Sequence, residues 1–183
     1  MTKVLLAVAL FAAGSAVAQS SVLDRDQIYA RLVGEWTGQL EYRDFSSNER
    51  VVLPTWLEVK TTADGRAVQF TYTYDDGPTK TVTESSTITI DPASHRFTIT
   101  SDRDHSTDIY QTEEVGAAGG AHRMKFVLTG TGKENDKPVD VRIVLSIDRN
   151  LYRFTKETRQ SGQDFLFRDG YTFTRRRPGQ SGR

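Results

Sequence analysis

From Gly34 onward, apolar and polar residues alternate with a period of two along most of the chain. Trp36, Gly38, Leu40 and Tyr42 share one face, while Thr37, Gln39 and Glu41 take the other. The same alternation carries Val51 to Val59, Val68 to Tyr74, Val82 to Ile90, and Phe97 with Ile99. It resumes in Ile109 to Val115, Met124 to Leu128, Val139 to Ile147, Leu151 to Thr158 and Phe165 to Phe173. A two-residue period puts successive side chains on opposite faces of an extended strand. The runs are rich in Val, Ile, Thr, Tyr and Phe, which suit a pleated, half-buried surface. The pattern predicts about ten strands. A different period precedes them. Asp24 can cap a helix over Arg25 to Val33, with Ile28, Leu32 and Val33 forming one apolar stripe and Gly34 stopping it.

The punctuation decides how the strands connect. Ala63-Asp64-Gly65, Asp75-Asp76-Gly77-Pro78, Asp91-Pro92-Ala93-Ser94 and Asp148-Arg149-Asn150 are turn clusters at hairpin spacing. Gly116 to Gly120, Gly132 to Pro138 and Ser161-Gly162 mark further turns. Short connections make neighbours antiparallel, because parallel pairing needs a crossover of about a dozen residues. No helical insert follows Gly34, which excludes α/β folds. The expected fold is all-β, an antiparallel up-and-down β-barrel with one short N-terminal helix at one end. A sandwich is the alternative, and it usually needs Greek-key crossovers.

The N-terminus changes the picture of where the domain begins. Met1-Thr2-Lys3 is cationic, Val4 to Gly14 is almost wholly apolar, and Ala16 and Ala18 precede a polar Gln19. That is the form of a secretory signal peptide over 1–18, with cleavage after Ala18. The run is too short for a membrane anchor, which needs about 20 apolar residues. The expected location is therefore the periplasm or the medium. Residues 19–175 form the single barrel domain. Residues 176–183, with Arg177 and Pro178 among them, read as a disordered basic tail. The chain holds no cysteine, which excludes disulfides, thiolate metal sites and a cysteine nucleophile. It holds 24 basic and 24 acidic residues. A chain this close to neutral has no general attraction to nucleic acid or to an anionic membrane.

Gly34-Glu35-Trp36 stands where helix meets first strand, and a G-x-W there resembles the calycin signature of lipocalins and related barrels. The helix-first start and strand number are also similar to fatty-acid-binding and nitrobindin-like barrels. The stretch from Gly34 through Asp44, with Leu53-Pro54-Thr55, resembles exported bacterial proteins of similar length. The calycin resemblance implies that Trp36 closes the base of the barrel against a late arginine, either Arg168 or Arg175. It also implies a small apolar or amphipathic ligand in the interior. A haem-ligating histidine is not carried over, because no motif maps that ligand onto His122.

Candidate chemistry lies where polar groups interrupt apolar faces. Glu84 falls in register with Val82 and Ile88, Glu113 with Ile109 and Val115, Arg153 with Leu151, and Asp169 between Phe167 and Tyr171. Buried charges need partners, so Glu84, Glu113 and Arg153 are expected either to pair inside a ligand cavity or to be turned outward by a bulge. Tyr72, Tyr74 and Tyr171 join them as candidate ligand contacts, because a buried hydroxyl wants a partner. The loop Asp102, Asp104, His105 and Asp108 lacks the calcium-loop pattern and reads as a charged turn. No G-x-S-x-G, H-E-x-x-H, P-loop or G-x-G-x-x-G occurs. The sequence names no catalytic residue, metal or cofactor, and it leaves the oligomeric state open. The leading expectation is an exported lipocalin-like binding barrel. A structural or protein-interaction β domain with a filled core is the alternative. A hydrolase or isomerase without a recognisable motif is the second.

Overall fold

The computed structural model describes residues 24–44, 46–116 and 123–177. The expected signal peptide and cleavage site, His122 and residues 178–183 lie outside them. Helix α1 spans Arg25–Leu32. The Asp24 carboxylate caps it by accepting from the Gln27 amide at 2.8 Å, as its position before the apolar stripe predicts. Ten strands follow: β1 (Gly34–Arg43), β2 (Arg50–Thr61), β3 (Val68–Asp75), β4 (Thr81–Asp91) and β5 (Arg96–Ser101), then β6 (Thr107–Gly116), β7 (Arg123–Glu134), β8 (Lys137–Asp148), β9 (Leu151–Arg159) and β10 (Leu166–Arg175). Each strand pairs antiparallel with the next, and β1 pairs with β10 to close the ring. The barrel is borne out and the sandwich excluded. Closure leaves no free strand edge. No helix among the described residues is long and apolar enough to cross a membrane.

The two ends of the barrel differ. At the end where β1 begins, α1 buries Ile28, Tyr29 and Leu32 against the barrel core. The Tyr29 hydroxyl donates to the Arg66 carbonyl at 3.0 Å and accepts from the Ile90 amide at 3.1 Å. Those bonds pin the helix to the β2–β3 turn and to β4. Trp36, 1% exposed, donates its indole N–H to the Leu32 carbonyl at 2.9 Å. The Arg175 guanidinium stacks over the Trp36 ring at 4.0 Å and donates to the carbonyls of Val33 and Arg31, both at 2.5 Å. Of the two candidate arginines, Arg175 is the one that meets Trp36. Gly34 has a φ of +133°, and a Cβ there would lie 2.6 Å from Arg175 Nη1. Only glycine gives this turn and leaves the guanidinium its place.

Above this plug the interior is filled. One wall is an aromatic column in which Trp36 meets Tyr152, Tyr152 meets Phe173, and Phe173 meets Tyr72 and Tyr171 at ring separations of 5.6–6.4 Å. The facing wall is Phe97, Phe126, Leu128, Ile143 and Leu145, each 1% exposed or less. At the far end of β10 the chain continues in order past its last strand residue. The Arg176 amide bonds to the Glu35 carbonyl at 2.8 Å and its guanidinium pairs with the Glu35 carboxylate at 3.1 Å.

Candidate functional site

The open end of the barrel, opposite the helix, is hollow. Two spaces open there, and Asp169 lines both. The outer one is a cleft of about 330 Å³. Its apolar floor comes from Leu40, Leu53 and Val82, inward positions of β1, β2 and β4. Tyr42, Tyr74 and Tyr171 supply its aromatic walls, and Asp76, Glu84 and Asp169 its polar groups. The inner one is a chamber of about 190 Å³ bounded by the upper ends of β6 to β10. Asp108, Glu134, Lys156, Arg168 and Asp169 reach into it. Its room comes partly from β7, where the position opposite Val139 is Gly132 and offers no side chain.

Tyr74 and Tyr171 mark the boundary between core and cleft. Their hydroxyls hydrogen-bond to each other at 3.0 Å, and Tyr72 stacks against both rings at 6.1 and 5.0 Å. Burial pushes the Tyr74 phenol up to about 12, with the charge of Glu84 adding to it against the opposing Tyr171 hydrogen bond. Burial also raises Tyr171 and Tyr72 well above the ordinary phenol value. All three are neutral donors and acceptors at physiological pH.

Asp169 belongs to both spaces. A register shift between Phe167 and Asp169 in the β9–β10 ladder places it inward, opposite Lys156. Loss of solvation raises its pKa, opposed by the charges of Lys156 and Arg168. Its carboxylate makes no hydrogen bond or ion pair within 4 Å to any described residue. Arg168 is held elsewhere, by Glu134 at 2.8 Å. Glu134 also accepts from the buried Thr158 hydroxyl at 2.7 Å.

The structure sorts the expected site residues into two groups. Tyr74, Glu84 and Tyr171 come together at the open end, while Tyr72, opposite Glu84 across β3 and β4, stacks against the two tyrosines and does not line the cleft. Glu113 and Arg153 do not join them, and the expected cluster of Glu84, Glu113 and Arg153 is absent. Glu113 sits at a bulge between Thr112 and Glu114, is exposed, and accepts from the Thr129 hydroxyl at 3.0 Å. Arg153 is exposed between inward-facing Tyr152 and Phe154. The β10 bulge also turns Phe165 outward, where it lies under the Arg142 and Arg159 guanidiniums at 4.2 and 4.4 Å. Lys156, Arg168 and Glu134 had no signal in the sequence, because a bulge is invisible in a hydropathy pattern. The carboxylates of the loop after β5 are taken up locally. Asp104 accepts from Ser106, and Asp102 accepts from Gln69 and Thr87. Among the described residues, no three His, Cys, Asp or Glu side chains could hold a metal ion.

Comparison with known proteins gives the fold and no family. No family model matches the chain, and no curated protein matches it. Among solved structures it is similar to Rv2717c from M. tuberculosis, with a TM-score of 0.59, 14% identity, and coverage of 85% of this chain and 100% of that one. It is similar also to the S-type phycobiliprotein lyase CPES from Guillardia theta, with a TM-score of 0.56, 9% identity, and coverage of 85% and 94%. Both are ten-strand barrels of the calycin-like kind. At such identities the likeness is one of fold.

Proposed function

We propose that this protein is an exported small-molecule-binding barrel whose ligand enters the open end and rests on Tyr74 and Tyr171. The observation that carries the reading is the hollow itself. A barrel needed only as a core would be filled along its length, whereas this one is filled at the helix end and open at the other. A concave, largely apolar site with a few convergent polar groups is the usual form of a ligand site. The fold shared with a protein named as a phycobiliprotein lyase is in keeping with this reading, by fold alone. Export is supported by the cationic start, apolar run and Ala16–Ala18 pattern of the first residues.

Titration of the purified protein with Nile red, a neutral apolar dye, tests the binding. Saturable binding at one dye per barrel is expected, and Leu53→Trp should abolish it by filling the cleft while Arg153→Ala leaves it intact. An absence of saturable binding, with no retained molecule in native mass spectrometry, would sink the reading. Intact-mass measurement of protein recovered from the producing cells tests export separately. A chain beginning at Gln19 supports it, and a chain still beginning at Met1 or Thr2 refutes it.

A further inference from the structure

We propose that the ligand of the open cleft carries a positive charge, as an organic ammonium joined to a short apolar body. The inference rests on the binding role proposed above and adds the ligand's chemistry to it. Every charged side chain that lines the cleft is acidic: Asp76, Glu84 and Asp169. They are not equivalent. Asp76 is already neutralised by its ion pair with Lys80. Glu84 and Asp169 have no ion-pair partner within 4 Å among the described residues. Glu84 stands at the exposed rim and Asp169 lies deeper, beside the hydroxyl pair of Tyr74 and Tyr171.

The aromatic groups give a second, independent reason. Tyr42, Tyr74 and Tyr171 line the same space, and phenol faces attract cations through their quadrupole, most strongly where water is excluded. Aromatic rings beside carboxylates suit an ammonium group, and the carboxylates repel an anionic ligand. The apolar floor of Leu40, Leu53 and Val82 then takes the hydrocarbon part. The cations near Asp169 do not fill this role. Arg168 is engaged by Glu134 at 2.8 Å, and Lys156 faces Asp169 from the inner chamber rather than from the cleft. Desolvation of Asp169 points the same way, because a bound cation would restore the stabilisation that its carboxylate lacks.

Three probes with one tail length separate the possibilities: octyltrimethylammonium, 1-octanol and octanoate. Each is titrated by calorimetry against the purified protein below its aggregation concentration. The ammonium should bind at least about tenfold more tightly than octanoate, with octanol between them. Glu84→Gln and Asp169→Asn should each reduce that preference several-fold. Glu84 is exposed, so its variant does not endanger the fold. Equal binding of all three probes, or a preference for octanoate, would overturn the cationic ligand while leaving the binding barrel in place. Failure of every probe and of Nile red to bind would overturn both. A preference that survives both substitutions would also overturn the inference, because the selectivity would then come from elsewhere.

Discussion

The two halves of this barrel treat their polar groups in opposite ways. At the helix end, buried polar groups have partners: Trp36 with the Leu32 carbonyl, Tyr29 with Arg66 and Ile90, Arg175 with two carbonyls and an indole ring. At the open end, Asp169 faces a cavity without a hydrogen bond and Glu84 faces solvent. A satisfied polar network fixes one arrangement. An unsatisfied carboxylate is a cost that stability alone does not explain, and such costs gather at functional sites. The contrast ties stability to the half containing Trp36, and the binding proposed above falls in the half containing Asp169; substitutions at either end can break that division.

The largest effect is expected at the plug. Trp36→Ala removes a fully buried indole that touches Arg175 and Tyr152. It should cost about 3–5 kcal/mol in denaturant unfolding. A loss below about 1 kcal/mol would mean that helix and tryptophan do not hold the barrel closed. Arg175→Ala should cost less, about 2 kcal/mol, from two charge-assisted hydrogen bonds and the ring contact. Arg175→Lys keeps the charge but not the fork that reaches both carbonyls, so it should recover only part of the loss. If lysine restored full stability, the charge rather than the geometry would be what matters at the base.

The closed half was more legible in the sequence than the open half, and the reason is physical. Its signals are local. Asp24, the stripe of Ile28 and Leu32, and Gly34-Glu35-Trp36 lie within thirteen residues, and each performs its expected role. The open half depends on strand parity over long runs, and parity fails wherever a bulge or an exposed apolar residue intervenes. Ile109 is 52% exposed, so the assumption that its face is inward carried Glu113 to the wrong side. Leu151 did the same for Arg153, since the inward residues of β9 are Tyr152 and Phe154. Tyr72, Tyr74 and Tyr171 escaped the error because β3 and the part of β10 that follows its bulge are regular. Asp169 was visible as an interruption, but its neighbours Lys156 and Arg168 come into view only once the β10 bulge is known.

Asp169→Asn should move stability in the opposite direction from the plug variants. The desolvated carboxylate has a raised pKa, so its ionised form is disfavoured in the folded chain. At neutral pH the amide should stabilise by about 1 kcal/mol, a common gain when a functional strain is removed. The sign with pH follows from proton linkage. Between the ordinary value of 3.8 and its raised folded value, the folded chain binds more protons at Asp169 than the unfolded chain does. That contribution therefore strengthens as pH falls and weakens as it rises. The turn carboxylates Asp44 and Asp104 behave inversely. Hydrogen bonds, led by the hydroxyls of Ser46 and Ser106, hold both near a pKa of about 2. Their stabilisation is present above the ordinary value and is lost as pH falls from about 4 toward about 2. Paired unfolding curves at pH 7.5 and pH 4.5 should show the advantage of Asp169→Asn shrinking in acid. An advantage that grows in acid would mean that Lys156 and Arg168 outweigh burial.

The smallest effects are expected at the two residues that the hydropathy pattern assigned inward and the folded chain turns outward. Arg153 and Glu113 are exposed on the barrel's outer surface. Glu113 holds one hydrogen bond, from Thr129, in an exposed setting. Arg153→Ala and Glu113→Ala should each change stability by less than about 0.5 kcal/mol and leave Nile red affinity unchanged. The double variant should equal the sum of the two, because the residues share no partner and their strands are not neighbours in the barrel. This small result carries weight out of proportion to its size. If either substitution weakened binding, or if the two coupled, Glu113 and Arg153 would have to meet inside the barrel. The bulge in β6 and the parity of β9 would then be wrong, and with them the division of the interior into a filled end and an open one.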